Sequence, residues 1–126
     1  MKKIIKSINA PNPVGPYSQA VLIDGTLFIS GQVAIDMETK VLFTDNIETE
    51  TKIVMKNIES ILSEAGFSFQ NVVKSTIFTV DLNNFSIINK VYGGFFESKT
   101  APARETVEVS ALPLGANVEI SVIAKK

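Results

Sequence analysis

Cysteine, histidine and tryptophan are all absent from this chain of 126 residues. Without cysteine the chain can form no disulfide, no thiolate metal site and no thiol nucleophile. Without histidine it lacks the commonest zinc ligand and the side chain that most often acts as a general base near neutral pH. Any catalysis must therefore use carboxylates, hydroxyls, amides, lysine, arginine or backbone dipoles.

An excess of charge of either sign is also absent, because 12 basic residues face 13 acidic ones and the net charge is −1. The basic residues are scattered, so no patch of the kind that binds nucleic acid is predicted. Lys2 and Lys3 follow Met1, but Lys6, Ser7 and Asn9 interrupt any apolar stretch after them. The sequence therefore predicts neither a signal peptide nor a membrane span. We therefore expect a cytoplasmic protein that binds neither nucleic acid nor membrane.

The length predicts a single domain over residues 1–126, and a hydrophobic content of 45% is sufficient for a core. Asp24-Gly25 stands between two apolar, β-branched runs. This pair is a strong hairpin signal, because a type I′ turn needs a positive φ at both central residues. The sequence therefore predicts paired strands over about Ser18–Ile23 and Thr26–Gln32.

Two amphipathic helices are predicted further along the chain. Asp45 followed by Glu48 resembles a capping box, and an apolar stripe then indicates a helix over about 46–65 that ends at Gly66. A second helix is predicted over about 84–98, although Gly93-Gly94 should weaken it. Further strands are predicted over about 72–80, 105–111 and 117–124.

This order of elements indicates an α+β fold in which two helices pack on one face of a mixed sheet. The other face would keep apolar strand side chains, and soluble monomers rarely expose a large apolar patch. We therefore expect self-association through the uncovered face, without the pattern giving the number of subunits. The strand residues from which that face is drawn are Val73, Ile77, Val107, Val109, Val118 and Ile120.

Arg104 is the only arginine among the 12 basic residues. Its planar, permanently charged fork suits bidentate binding of a carboxylate, and it lies where a loop enters a predicted strand. The alternative is a structural ion pair with Glu105, Glu108 or Glu119.

Other candidate positions allow two interpretations each. Glu119 lies between two apolar residues of a strand, so it either faces solvent, pairs with a cation or is held for chemistry. Gly31, between Ser30 and Gln32, permits either close backbone approach to a ligand or a β-bulge. Asn89 in the second helix is a functional amide or a surface residue.

The chain resembles the Rid, or YjgF-type, proteins, and within them the RidA branch. The resemblance runs in register over nearly the whole chain, and its C-terminal part is the most specific. The matching segments are 15–20, 28–32, 81–85 with Asn89 and Tyr92, Phe95-Phe96, 102–104, 107–109, Leu112-Pro113 and 118–120.

The resemblance implies a chorismate-mutase-like fold and a homotrimer with active sites between subunits. It implies hydrolysis of reactive 2-imino acids and enamines, such as 2-iminopropanoate and 2-iminobutanoate, to 2-keto acids and ammonia, without metal or cofactor. By the same resemblance, Arg104 binds the substrate carboxylate and Glu119 positions or activates the attacking water. The remaining substrate-binding positions are Tyr17, Ser30, Gly31, Asn89 and Thr106.

The sequence departs from the family pattern at Glu105, where a small residue is more usual, and at Thr106, where some members have cysteine. An extra carboxylate beside Arg104 would weaken its grip on an anion. The alternative function is a non-catalytic trimer that binds or senses a small ligand in the same cleft, since a fold does not fix an activity. RNA cleavage, also attributed to this family, is disfavoured by the acidic balance and the missing histidine.

Overall fold

The computed structural model describes residues Met1–Lys126 and contains a six-stranded sheet covered on one face by two α-helices. The strands lie in the order β1-β2-β3-β6-β4-β5. Only β4 and β5 are parallel, so the sheet is mixed. The elements are β1 (Lys3–Ile5), β2 (Ala20–Ile23), β3 (Thr26–Gln32), α1 (Ile47–Glu64), β4 (Val72–Thr79), α2 (Phe85–Gly93), β5 (Ala103–Glu108) and β6 (Val118–Lys125). The predicted fold class is confirmed.

The predicted hairpin is confirmed between β2 and β3. Asp24 and Gly25 both have positive φ, at 48° and 74°, as a type I′ turn requires. Pairing begins at Ala20 opposite Ile29, so β2 starts two residues later than predicted. The turn therefore fixes the register of the sheet edge nearest the N-terminus.

Helix α1 is confirmed, but its predicted capping box is wrong. The N-cap is Asn46, whose extended backbone lets its side-chain oxygen accept from the Thr49 amide at 2.8 Å. Asp45 therefore lies one residue outside the helix. At the other end Gly66 has a φ of 77°, as predicted for the residue that follows a helix.

Helix α2 and strand β5 differ in extent from the prediction. The helix stops at Gly93 rather than near 98, because two successive glycines give no side-chain support to the helical backbone. Phe95 and Phe96 leave the helix and pack on Phe69, with ring centres 5.2 and 5.3 Å apart. Strand β5 is 103–108 instead of 105–111, since it pairs with β4 only over that length.

The core lies between the helices and one face of the sheet. Val54, Met55, Ile58, Ile61 and Leu62 of α1 are fully buried against it. Of the strand residues expected on the uncovered face, Ile77, Val118 and Ile120 belong instead to this buried side, because periodicity gives alternation but not its phase. Val73 and Val107 are 49% and 41% exposed, together with Phe28 at 46%. No helix of the chain has the length and apolar content to cross a membrane.

Candidate active site

Arg104 lies on β5 and leans against two aromatic rings of α2. Its guanidinium carbon is 5.0 Å from the ring centre of Tyr92 and 5.7 Å from that of Phe85, within the range of cation–π attraction. The ion pairs of the chain are Lys56 with Glu59 and Lys74 with Glu105, so Arg104 has no carboxylate partner. The structural ion pair considered from the sequence is therefore absent from the chain.

The ring of Tyr92 is itself held in place. Its hydroxyl donates to the Ser75 hydroxyl at 2.8 Å, and its ring centre is 4.7 Å from that of Phe96. Burial raises the pKa of Tyr92, while the Ser75 hydrogen bond and the nearby charge of Arg104 act in the opposite direction. Arg104 therefore rests on a ring with little freedom to move.

Asn89 and Thr106 belong to the same region as Arg104. Phe85, Asn89 and Tyr92 are spaced i, i+4 and i+7, so they share one face of α2, and Asn89 is exposed on it. Thr106 lies two residues after Arg104 on the same side of β5, and its buried hydroxyl has no hydrogen-bond partner. We call Arg104, Asn89, Thr106, Phe85 and Tyr92 the arginine cluster.

Glu119 lies on β6 in a small pocket of about 70 Å³, which is also lined by Tyr17, Gly31 and Leu114. Its carboxylate makes no ion pair and no hydrogen bond within the chain. Burial raises the pKa of Glu119, because desolvation disfavours the charged form. The strand thus presents an unpartnered carboxyl whose charged form is destabilised.

Gly31 is required by the position of Glu119. A Cβ at residue 31 would lie 2.8 Å from the Glu119 carboxyl carbon and 3.0 Å from its Oε2. The register between β3 and β6 also shifts between Ile29 and Gln32. The interpretation of Gly31 as part of a bulge is therefore confirmed, the Glu119 side chain approaches the backbone there, and close approach to a ligand stays a prediction.

Tyr17 and Ser30 differ in their surroundings: Tyr17 lines the Glu119 pocket, whereas Ser30 precedes Gly31 on β3 and is not part of the pocket lining. Tyr17 is half exposed and lines the pocket, and its hydroxyl oxygen accepts from the Val14 amide at 3.4 Å. The Ser30 hydroxyl donates to the Ser18 carbonyl at 2.6 Å, which ties the segment before β2 to the end of β3. We call Tyr17, Ser30, Gly31 and Glu119 the glutamate cluster.

The two clusters lie on opposite faces of the sheet. Ser75 of β4 is buried under the helices and pairs with Arg104. Phe78, three residues further along β4, points to the other face and pairs with Glu119. Paired residues point to the same side and successive residues alternate, so Arg104 and Glu119 point to different sides. Strand β4 also separates β5 from β6, a spacing of about 10 Å. Within one chain the predicted site residues therefore form two separate halves.

Glu105 belongs to the face opposite Arg104. Its carboxylate is 3.1 Å from the Lys74 ammonium and accepts from the Thr76 hydroxyl at 3.3 Å. Because side chains alternate along the strand, this carboxylate points away from Arg104 within one chain and pairs with Lys74 instead. Its effect on anion binding by Arg104 stays a prediction.

Two features of these halves were not predicted from the sequence. Phe85 and Tyr92 belong to segments that match the family, but no role at the site was predicted for them, whereas their rings support the guanidinium. Their spacing of seven residues with Asn89 between them was the available signal. Leu114 gave no signal, because its place in the pocket depends on how the turn before β6 is bent.

The fold and these residues define a small α+β domain with an unpaired arginine and an unpaired, half-buried carboxyl on opposite sides of its sheet. The family model described as endoribonuclease L-PSP matches residues 7–126. The chain therefore belongs to this family, also called the Rid/YjgF family, and the resemblance inferred from the sequence is confirmed.

Relatives of the chain carry names of different precision. It is 41% identical to the human protein named 2-iminobutanoate/2-iminopropanoate deaminase, over 98% of this chain and 90% of that one. It is 46% identical to a RutC family protein of Synechocystis, over 97% and 95% of the two chains. One of these relatives is therefore named for a deaminase activity, whereas the other carries only a family name.

Solved structures agree with the fold throughout its length. A Rid family protein of unknown function from Yersinia pestis has a TM-score of 0.96 at 47% identity, covering 100% of both chains. The TdcF protein of E. coli, solved with bound serine, has a TM-score of 0.92 at 35% identity and covers 98% of each chain.

Proposed function

We propose that the protein is a hydrolytic deaminase that converts 2-imino acids and their enamine tautomers, such as 2-iminopropanoate and 2-iminobutanoate, to 2-keto acids and ammonia. One observation carries this proposal: the arginine has no carboxylate partner and Glu119 has no cation. A small substrate could engage both residues, because its anionic end would pair with Arg104 and its electrophilic carbon would lie next to Glu119. The names of several relatives support the same reaction.

The two halves would meet between copies of the chain. We infer a homotrimer in which the arginine cluster of one copy faces the glutamate cluster of the next. Support comes from the apolar side chains exposed on the face without helices and from the separation of the clusters within one chain. A head-to-tail ring repeats one such contact at each interface, so each trimer would contain three equivalent sites.

In such a site Arg104 would hold the substrate carboxylate through two parallel hydrogen bonds. Thr106 has a buried hydroxyl free to donate to the same group, and the exposed amide of Asn89 lies on the adjoining helix face. Tyr17, Ser30 and Gly31 would border the substrate from the other copy. The aromatic rings behind Arg104 keep its fork oriented before the substrate arrives.

Glu119 would act as the general base. It takes a proton from water, the water oxygen bonds to the imine carbon, and the C=N bond becomes a C–N single bond in a tetrahedral carbinolamine. The nitrogen, once protonated, leaves as ammonia while the C–O bond becomes the carbonyl of the 2-keto acid. Protonated imines are already electrophilic, so this chemistry uses only groups that the chain possesses.

The test is a trapping assay. An amino-acid oxidase generates 2-iminobutanoate, semicarbazide traps it, and purified protein competes with the trap. We expect the semicarbazone yield to fall catalytically, and Arg104→Ala to abolish that effect while leaving the oligomer unchanged. Wild-type rates in the Arg104→Ala variant would refute the assigned role.

The alternative is a ligand-binding or regulatory oligomer that uses the same cleft. Such a protein would lower the semicarbazone yield only in proportion to its own concentration. The family description names an endoribonuclease, but a net charge of −1 and the lack of histidine disfavour RNA as a substrate. We accordingly propose a cytoplasmic enzyme that acts on small molecules and engages neither nucleic acid nor membrane.

A further inference from the structure

The turn that precedes β6 forms one wall of the Glu119 pocket in an unfavourable backbone conformation. Leu114 has a φ of 63° and a ψ of 11°, in the left-handed region where a side chain crowds its own backbone. Leu114 is 61% exposed, yet it lines the pocket together with Glu119. A strained residue beside a candidate catalytic group indicates a conformation that the surrounding structure imposes.

The constraint on this turn comes from Glu50 of α1. Glu50 is fully buried and lacks a cation, and its two oxygens accept from the Asn117 backbone amide at 2.7 Å and from the Asn117 side-chain amide at 2.8 Å. A buried carboxylate without a cation is unfavourable unless donors satisfy it. The Asn117 carbonyl in turn accepts from the Val80 amide and the Thr79 hydroxyl, so both sides of residue 117 are fixed.

These contacts leave the turn little freedom at its C-terminal end. Asn117 is three residues beyond Leu114 and two before Glu119. We call the two hydrogen bonds between Glu50 and Asn117 the clamp. The clamp fixes both the start of β6, which carries Glu119, and the turn, which carries Leu114. Pro113 in the same turn has a fixed φ, which restricts the backbone further.

We propose that Leu114 determines which substrate side chains the pocket accepts, and that Glu50 is the positioning residue that holds Leu114 there. This inference rests on the proposed function. If Arg104 binds the carboxylate and Glu119 faces the imine carbon, the remaining substituent of that carbon points toward the apolar wall. Val14, Val33 and Leu114 contribute to that wall, and the pocket of about 70 Å³ suits a short chain.

The first experiment compares wild type with Leu114→Ala. Calorimetry measures the affinity for 2-oxobutanoate and for 2-oxohexanoate, and the trapping assay measures kcat/KM for the corresponding imino acids. We expect wild type to prefer the shorter chain and Leu114→Ala to shift both ratios at least fivefold toward the longer one. Val41→Ala is the matched control, because Val41 is 62% exposed and does not line the pocket.

The second experiment tests the clamp. Glu50→Ala removes both acceptors of the Asn117 donors, so the turn should loosen and the ratios should shift in the same direction. Glu50→Gln is the conservative control: its amide oxygen still accepts from the Asn117 backbone amide, and the Asn117 side-chain amide can turn so that its oxygen accepts from the new amide group. We expect Glu50→Gln to keep the wild-type ratios, whereas a general loss of folded protein would lower both activities without changing their ratio.

The outcomes separate this inference from the function on which it rests. Imine turnover by wild type with ratios unchanged within twofold in Leu114→Ala would overturn the role of Leu114 alone. Wild-type ratios in a folded Glu50→Ala variant would overturn the positioning role. A shift of the keto-acid affinities without any turnover would support the inference and refute the enzyme. Absence of both binding and turnover in wild type would overturn both.

Discussion

Mixing two inactive variants should restore activity, because the chain carries the two halves of its candidate site on opposite faces. Arg104→Ala keeps the glutamate cluster, and Glu119→Gln keeps the arginine cluster. Each variant alone should lose about 10²–10⁴-fold in kcat/KM, the range for removing a general base or an orienting charge. In a mixed oligomer, a site is intact where an Arg104 from one variant faces a Glu119 from the other.

The size of the recovery follows from random assembly. In an equal mixture half of all chains supply an intact Arg104 and half an intact Glu119. The probability that one interface receives both is about one quarter, whatever the number of subunits in a closed ring. We therefore expect about 25% of wild-type activity per site, which is far above the sum of the two variants.

The assay needs complete exchange of subunits. The two variants are unfolded together in urea, refolded at equal concentration and tested with 2-iminobutanoate in the semicarbazide trap. The control mixes Arg104→Ala with the double variant of Arg104→Ala and Glu119→Gln, which supplies no intact Arg104 in any chain. That mixture should remain inactive although it folds and exchanges in the same way.

No recovery in an exchanged mixture would refute the reasoning. It would mean that the reaction needs both groups from the same chain. Mass spectrometry under native conditions verifies the exchange, so a negative result cannot be attributed to unmixed oligomers. A recovery near one half would also contradict a site that needs one group from each of two copies.

Three further predictions concern single residues. Gly31→Ala should lower kcat/KM about 10²-fold, because its Cβ would come within 2.8 Å of the Glu119 carboxyl carbon and displace it; Gly93→Ala, which meets nothing within 4 Å, should retain the activity. The acid limb of the pH–kcat/KM profile should have its midpoint at a higher pH than an ordinary glutamate would give, since burial raises the pKa of Glu119. Glu119→Gln should abolish this limb. Because its pKa is raised on folding, Glu119 binds more protons in the folded state than in the unfolded state. The free energy of unfolding should therefore fall as pH rises between the unfolded and the folded pKa of Glu119. Urea titrations of Glu119→Gln should not show this fall. Glu50→Ala should lower the free energy of unfolding by about 2–4 kcal/mol, because two partly buried donors of Asn117 lose their acceptor. An unchanged urea midpoint would contradict this.

Local signals predicted the parts of the fold that local chemistry decides. The Asp24-Gly25 turn and Gly66 adopt positive φ because the backbone there needs it, and the apolar stripe of α1 is visible at the correct period. The end of α2 and the length of β5 depend instead on tertiary partners. Phe95 and Phe96 leave the helix to pack on Phe69, which no window of sequence around them reveals.

The sequence singled out candidate site residues but did not give their arrangement within one chain. Arg104 stood out as the only arginine and Glu119 as a charge in an apolar strand. Which face each occupies depends on the register of β5 and β6 against β4, and a slip of one residue would reverse the face. Alternation in a sequence fixes relative positions within one strand only. The separation of the two halves therefore required the sheet.

This separation bears on how a chain without histidine could obtain a carboxylate that is a stronger base than an ordinary glutamate. A carboxylate next to an arginine would have its pKa lowered and would be a weaker base. In the folded chain Arg104 instead lies across the sheet from Glu119, with two aromatic rings against its guanidinium, and burial raises the pKa of the carboxyl. If two copies bring the groups together around a substrate, the substrate carboxylate neutralises the arginine. Glu119 then keeps the raised pKa that desolvation gives it, because the anion bound by Arg104 cancels the positive charge that would lower this pKa.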